Sequence, residues 1–596
     1  MKLWGKFIPI LAGAALVCAV SATPAQAQST GTITGTVVDA TSGRTLESAQ
    51  VYIAALNMGG LSNASGRFLI LNVPAGTHDV RVELIGYAGM SESVSVTAGQ
   101  TTTMEFRVNS SALRLQELVV TGVAGATPRV KLPFTVDKVD ITDSPVPSPS
   151  ADGLIQGKVA GAKVISGSGQ PGESANIMLR GPTSLSGSQS PLIIVDGVIT
   201  DNTMADIDAL DIESVEIVKG PAAASLYGSR AANGVIQITS KRGRSLTTDR
   251  NRMIARNEYG KNNIEGSLDV AEYHPYKLTA DGQNFADAAG NAIPWGLDME
   301  LITGDQKTTF QTNPFPYTFD ALDAFYDPGD YYSNYIAAEG KASGTSYRAS
   351  FTNMHESGVV QNNDGYTRRN FRINVDHEIW DNLDLSMSTY YAQTKQQDIG
   401  GDPFFGLTFM SPAVDLTQKD EDGYYVFNPD PTSLEQNPLY ETQFFDNWDY
   451  NSRLMTSLFV RFRPASWLEL EGNYSLDRED RNQSNITPKG YKTEENPEGG
   501  LGSINKWNQV ENDINASFTA SINHAFGDLT TRTKFRYLLE DQHTERFWVT
   551  GNDLVVGDVP TLAVAQGGKS TDSDIFDVLA EGYFGIVALD YQGKYI

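Results

Sequence analysis

Cysteine is almost missing from this chain: of 596 residues only Cys18 is one. It lies inside an N-terminal apolar run, so a chain trimmed past that run has no thiol, which excludes disulfides, cysteine nucleophiles and cysteine-ligated metals. Long apolar runs are missing after residue 20. The early one, 7–20, is shorter than the roughly 20 residues that cross a bilayer and contains Pro9. Membrane helices are thereby excluded, but alternating β-strands escape a hydropathy scan and stay open. Positive charge is scarce, with 45 Lys and Arg against 72 Asp and Glu, and the net charge of −27 excludes a sequence-independent nucleic-acid binder, which needs a basic face to displace counterions. Histidine is scarce as well. His355-Glu356 and His377-Glu378 begin like zinc-protease motifs, but neither has a second histidine one helical turn later.

What is present begins with a secretory signal: Lys2 and Lys6, the apolar run, and the small-residue site Ala25-Gln26-Ala27, with cleavage expected after Ala27. From 31 to 108, short β-like runs at 32–38, 49–54, 68–71, 77–84 and 93–96 alternate with turn residues, the texture of a small β-sandwich. The octet LQELVVTG at 115–122 is a short β-prone run whose unpaired backbone a partner's sheet edge can capture; its other reading is a last strand of the sandwich, since short runs of this sort are common. Beyond about 245 the chain changes to long alternating segments. Ile514, Ala516, Phe518, Ala520 and Ile522 alternate with polar residues, and similar runs occur at 347–352, 371–375, 383–391, 454–462, 468–476 and 534–538. Tyr, Phe and Trp crowd their ends, as at Trp380, Tyr390, Tyr391 and Trp467, which suits interfacial girdles. About ten strands are expected, with 400–447 and 481–509 as loops.

Some signals point to chemistry that their surroundings do not support. GSGQPG at 167–172 has three glycines spaced as in a dinucleotide site, yet a proline and a strand-like run follow where a helix must start, so it is read as a turn. The clusters Asp206, Asp208, Asp211 and Asp420, Glu421, Asp422 lack calcium-loop spacing and are read as solvated surface. No cofactor and no metal is expected.

The most informative stretch is 211–243, DIESVEIVKGPAAASLYGSRAANGVIQITSKRG. By composition alone it is a small β-meander with a glycine turn. It resembles, residue for residue at Glu216, Gly220, Tyr227, Gly228, Arg230 and Gly234, the end of the plug domain of TonB-dependent outer-membrane receptors of the SusC/RagA type. Two more stretches match in order: LIQGKVAG at 154–161, and NIMLRG at 176–181 with PLIIVDGV at 191–198, which contribute Arg180, Gly181, Asp196 and Gly197. The 31–108 region is similar to the carboxypeptidase-regulatory-like domain that precedes such receptors, and Glu117, Leu118, Val119, Val120 and Thr121 resemble a Ton box.

The resemblance implies a mostly β protein: signal peptide 1–27, Ig-like β-sandwich 28–110, Ton box and linker 111–125, mixed α/β plug 126–244, and part of a transmembrane antiparallel β-barrel at 245–596. Such barrels close with about 22 strands, so the chain is expected to be a fragment. It implies no enzyme, and energised import of a nutrient, a glycan oligosaccharide or a peptide, across the outer membrane. The implied partners are TonB, a SusD-like surface lipoprotein and outer-membrane lipid. Glu216, Arg180 and Arg230 are expected as contacts between plug and wall. The other reading is a non-transporting outer-membrane or secreted β-protein that binds polysaccharide or surfaces.

Overall fold

The computed structural model describes residues 30–595 except 41–42, 54–55, 57, 64, 85–89, 109–117, 122–123, 129–135, 141–149, 183, 186–188, 201–203, 205, 221–228, 247–249, 265–268, 303–312, 400–402, 434, 445, 558 and 592–593. The signal peptide, Glu117, Tyr227 and Gly228 lie outside the described residues. Two compact units divide the chain near residue 118.

The first unit is the expected sandwich. Its strands are β1 (Thr30–Asp39), β2 (Gln50–Ile53), β3 (Met58–Leu61), β4 (Arg67–Pro74), β5 (Gly76–Glu83), β6 (Met90–Val96) and β7 (Thr101–Val108). They form a three-stranded sheet in the order β4-β1-β7 and a four-stranded one in the order β3-β2-β5-β6. Alternation decides which side chains go inside: along β1, Ile33 and Val37 are fully buried, and they join Val51, Phe68, Val80, Val82 and Phe106 in one core. Next in the chain, among the described residues, β8 (Leu118–Thr121) pairs with β9 (Ala124–Pro128) in a two-stranded sheet.

The second unit holds the plug and a large antiparallel sheet. In the plug, β10 (Val136–Asp140), β13 (Leu192–Val195), β14 (Val198–Thr200), β15 (Ile212–Val218) and β16 (Val235–Ser240) make one sheet, and β11 (Ala162–Ile165) with β12 (Asn176–Leu179) a second. β13 reads as a continuous apolar run because both of its faces are covered, and β13 and β14 are buried at every position. Gly234, at φ +104°, passes so close to its neighbours that a Cβ there would lie 2.6 Å from Leu179 Cδ1 and 2.8 Å from the Val218 carbonyl. Among the described residues the plug's helical parts are short 3-10 turns such as Ala209–Asp211.

The large sheet runs in chain order: β17 (Arg250–Asn262), β20 (Gly329–Ala342), β21 (Thr345–Glu356), β22 (Tyr366–Trp380), β23 (Leu383–Gln397), β24 (Asp446–Ala465), β25 (Leu468–Thr487), β26 (Ser503–Phe526), β27 (Leu529–Leu554), β28 (Ala565–Tyr591) and β29 (Lys594–Tyr595). The pair β18 (Phe285–Ala286) and β19 (Ala292–Ile293) belongs to the segment between β17 and β20. At one end two-residue turns join the strands, at 343–344, 381–382, 466–467 and 527–528; at the other the connections are long, with 263–328 and 398–445 the longest. The two long connections pack together: Trp295 Nε1 donates to Asp430 at 2.8 Å, and Phe325, Leu407, Val414 and Leu439 share an apolar core. The span 481–509, expected as a loop, is one at 488–502, while its two ends, 481–487 and 503–509, belong to β25 and β26. Those ends are mostly polar, with Ile486, Ile504 and Trp507 in no regular alternation. Among the described residues no helix is long and apolar enough to cross a membrane, which says nothing of crossing by strands.

Candidate functional site: the plug–wall interface

Asp196 and Gly197 form the turn between β13 and β14, both at positive φ (49° and 88°), the backbone of a tight hairpin that an Asp-Gly pair supplies without strain. The turn is the seat of the plug on the wall. The Asp196 carboxylate accepts from Ser240 N at 3.0 Å and Ser240 Oγ at 2.5 Å within the plug, and from Ser388 Oγ at 2.9 Å and Arg372 Nη1 at 3.0 Å on the wall. Its backbone carbonyl accepts from Ser457 Oγ at 3.0 Å, and the Gly197 carbonyl accepts from Asn473 at 3.3 Å. Four wall strands, β22 to β25, therefore grip one turn. Burial acts to raise the pKa of Asp196, but the Arg242 and Arg372 guanidiniums with the Ser240 hydrogen bonds outweigh it and hold the carboxyl below its ordinary range.

A second fastening stands where the plug leads into the sheet. Arg242 Nη1 lies 2.6 Å and Arg244 Nη2 2.5 Å from Asp376 Oδ1 on β22, and Asn374 donates to Ser240 Oγ at 2.7 Å and to the Lys241 carbonyl at 2.8 Å. A cavity of about 830 Å³ opens beside these groups, lined by Asp196, Arg242, Arg244, Arg461, Glu471 and Arg536 among others.

The cluster Asp206, Asp208 and Asp211, expected as solvated surface, is buried against the wall, with Asp208 and Asp211 at most 2 % exposed. Asp208 accepts from Thr352 Oγ1 at 2.5 Å and faces Arg368 at 3.8 Å; Asp211 accepts from Tyr335 at 3.0 Å and faces Arg372 at 3.6 Å. Asp206 accepts from Tyr366 and Asn451, both at 3.3 Å, and its carbonyl accepts from Tyr390. The correction has a plain cause. Acidic residues in sequence look like surface until a partner is visible, and here β22 presents Arg368 and Arg372 inward on alternate positions. Burial, then the neighbouring Asp208, push the Asp211 carboxyl up despite Arg372.

Of the three charges expected at the wall, Arg230 reaches it, 3.6 Å from Glu540 on β27. Glu216 is buried in β15, opposite Lys138 and Gln237 of the plug's own sheet. Arg180, at φ 70°, lays its guanidinium over Gly220, whose added Cβ would meet Nη1 at 2.9 Å; Gly181 has open space around it. Leu118, Val119, Val120 and Thr121 form β8. The glycine turn at 167–172 sits on the wall: Gln170 donates to the Gln397 carbonyl at 3.1 Å, Gln396 donates to the Pro171 carbonyl at 2.9 Å, and Gly172 lies beneath the Tyr366 ring. Asp420 closes an exposed turn by accepting from Asp422 N and Tyr424 N. Sequence reading missed Arg242, Arg244, Arg372, Asp376 and Ser388. The available signal was the row Arg368, Asn370, Arg372, Asn374, Asp376, polar at every second position of a strand whose other face is partly apolar.

Comparisons with known proteins agree with this architecture. Residues 33–120 match the CarboxypepD_reg-like domain family, and residues 131–235 the TonB-dependent Receptor Plug Domain family. TonB-dependent receptor P26 of Formosa agariphila is 25% identical over 584 residues, covering 95% of this chain and 55% of the relative. TonB-dependent receptor SusC of Bacteroides thetaiotaomicron is 41% identical over 104 residues, 16% of this chain and 10% of its own. Among solved structures, the RagAB peptide importer in the open-open state has a TM-score of 0.63 at 20% identity, covering 80% of this chain and 55% of that one. The chain spans about half the length of the curated relatives it matches.

Proposed function

We infer that this chain, which belongs to the TonB-dependent receptors of the SusC/RagA type, acts in energised import of a nutrient across the outer membrane, with the plug as the moving gate. The observation that carries the reading is the seat of the Asp196-Gly197 turn. It is held by a small set of ion pairs and hydrogen bonds to four wall strands, so a pull on the plug can break it stepwise without touching the sheet. Membrane strand proteins of this kind have short turns on the periplasmic side and long loops outside. On that basis the 263–328 and 398–445 connections are extracellular, and the sandwich and β8 are periplasmic. A ligand held between loops and plug would release β8 from its two-stranded sheet with β9, and TonB would add its own strand to Leu118, Val119 and Val120 by edge pairing. The outer membrane has no nucleotide supply, so force comes through that contact. A SusD-like lipoprotein is the expected partner over the extracellular loops, and the relative whose title reads peptide importer makes a peptide one candidate nutrient, a glycan oligosaccharide the other.

Val119→Pro removes a backbone donor from the captured strand. In the full-length receptor it is expected to abolish uptake while ligand binding, measured by calorimetry, is unchanged. Normal uptake by that variant would overturn the assignment of the Ton box, and ligand binding with no uptake by the unmodified receptor would favour a non-transporting surface protein instead.

A further inference from the structure

The 263–328 connection closes on a histidine that neither the plug nor the large sheet uses. His274 is 1 % exposed, and both of its ring nitrogens are engaged. The Tyr276 amide donates to Nδ1 at 3.1 Å, so Nδ1 carries no proton. Nε2 lies 3.1 Å from the Pro314 carbonyl, an acceptor, so Nε2 carries it. One neutral tautomer satisfies both contacts. The backbone repeats the fastening: His274 N donates to the Asn313 carbonyl at 3.1 Å, and Phe315 N to the Glu272 carbonyl at 3.2 Å. The Asn313 side chain adds to it, donating to the His274 carbonyl at 2.9 Å and the Tyr276 carbonyl at 2.7 Å. Residues 272–276 and 313–315 are thus clasped together, although 40 positions separate His274 from Pro314.

A second proton on the ring undoes the clasp. Nδ1–H would point at the Tyr276 N–H and at the Asn313 amide nitrogen, which stands 3.4 Å from Nδ1 and is kept a donor by its two carbonyl partners. Three donors then converge with no acceptor among them, in a place where water does not reach. The surroundings give the charge no help. The ring packs against Phe285 at 5.0 Å, Phe315 at 4.9 Å and Tyr276 at 6.2 Å between centroids. Of the groups that meet it, from its own segment, from β18 and from 313–315, only Tyr276 is ionisable. The charged groups nearby face elsewhere: Glu300 pairs with Lys277 at 3.6 Å, Glu272 is exposed, and Asp430 accepts from Trp295 at 2.8 Å. Burial therefore holds the pKa of His274 below its ordinary 6.5, and the Pro314 carbonyl, which favours the charged ring, does not offset it. The folded-state pKa being the lower one, the clasp is at full strength above about 6.5 and weakens as pH falls below it.

The clasp also carries the seam between the two long connections. Phe285 and Phe315 pack on Trp295, at 5.2 Å and 6.1 Å, and Trp295 reaches Asp430, while Phe285 and Met299 share a small apolar core with Ala413. Asp430 and Ala413 belong to the 398–445 connection, so the rings that enclose His274 are the ones that hold the connections together. We propose that His274 is an acid-released clasp: neutral, it keeps the 263–328 connection closed and seated on 398–445, and on gaining a proton it lets the two part. The proposal rests on the reading above only for the side of the membrane on which acid acts, the outside, where it would loosen the loops over the plug.

The test is amide hydrogen exchange on the purified full-length receptor in detergent, followed in peptides covering 272–278 and 313–317 and corrected for intrinsic rates. Between about pH 7.5 and about pH 5.5, local opening of both peptides is expected to rise about fivefold or more, with peptides of β24 unchanged. His274→Asn is the deciding variant. Its short side chain can still accept from the N–H two residues on, as in an Asx turn, but it does not titrate, so the rise with acid should vanish. If that variant fails to assemble, Asn313→Asp must flatten the same dependence, because it sets an acceptor and a negative charge beside Nδ1 and so favours the charged ring in the closed clasp. The proposal is overturned by opening that does not change with pH in the unmodified receptor, or by a pH dependence that persists in whichever variant assembles. Either result leaves the import reading untouched, since that reading stands or falls with uptake by Val119→Pro.

Discussion

At the scale of single residues the decisive fact is that the plug's charges are buried with their partners. Arg372 is 3 % exposed, has Asp196 at 3.0 Å and Asp211 at 3.6 Å, and lies over the Tyr390 ring at 4.5 Å. Removing one member of such a set leaves the other charged and dry, which costs about 3–5 kcal/mol. Asp196→Asn is accordingly expected to loosen the β13–β14 turn, read as a loss of amide hydrogen-exchange protection there with little change in the sheet strands. The two buried acids also respond oppositely to pH. Asp196 has a folded pKa below its unfolded value near 3.9, so its contribution is present above that value and is lost as pH falls through the lower one. Asp211 has a folded pKa above the unfolded value, so folding favours its protonated form; its contribution is full below about 3.9 and is lost as pH rises through the folded value. Lowering pH from neutral toward about 4 should therefore raise protection of the 206–212 segment, after correction for intrinsic exchange rates, and Asp211→Asn should remove that dependence.

Elements show why the wall was legible and its contacts were not. β21 to β27 were visible because their outer faces alternate strictly, as with Ile514 through Ile522 on β26. β28 is strand-like by pattern only in its second half, from Tyr583 on, because its first half, QGGKSTDSD, is polar on both faces, and β17 escaped because arginine and asparagine interrupt its pattern. The plug motif named Asp196, Gly197 and Gly234 as positions of interest, but which wall strand each meets depends on how the sheet curls past the plug, and no periodicity encodes that. Gly234 makes the point at the level of one strand. A Cβ there strikes Leu179 and the Val218 carbonyl, and φ +104° is a conformation that side chains disfavour. Gly234→Ala should destabilise the plug by about 2 kcal/mol or more through strain and forced repacking. Hydrogen exchange of β15 and β16 would register it, and unchanged protection would mean that the close approach is not tight.

For the whole molecule the question is which part of the sheet meets lipid. Ser457 points inward to Asp196, so on β24 the even positions point outward, and these are Leu454, Thr456, Leu458, Val460 and Phe462. Their neighbours on the same face continue the band, Met387 and Tyr391 on β23 and Leu470 and Tyr474 on β25. Further toward the loops the outer face of β25 turns to Arg478, Asp480 and Asn482, with Asn508 of β26 donating to Asn482 at 2.8 Å. The band is apolar only over part of the strands' length, as expected if lipid covers that part and water the rest. A charge placed at mid-band must be taken out of water at a cost of about 2–4 kcal/mol, whereas the same charge near the wet end costs about 0–1 kcal/mol. Leu458→Arg is thus expected to lower the yield of folded receptor in lipid vesicles sharply and Asn482→Arg hardly at all. Equal yields from the two variants would mean that the outer face of β24 is not the surface that lipid covers.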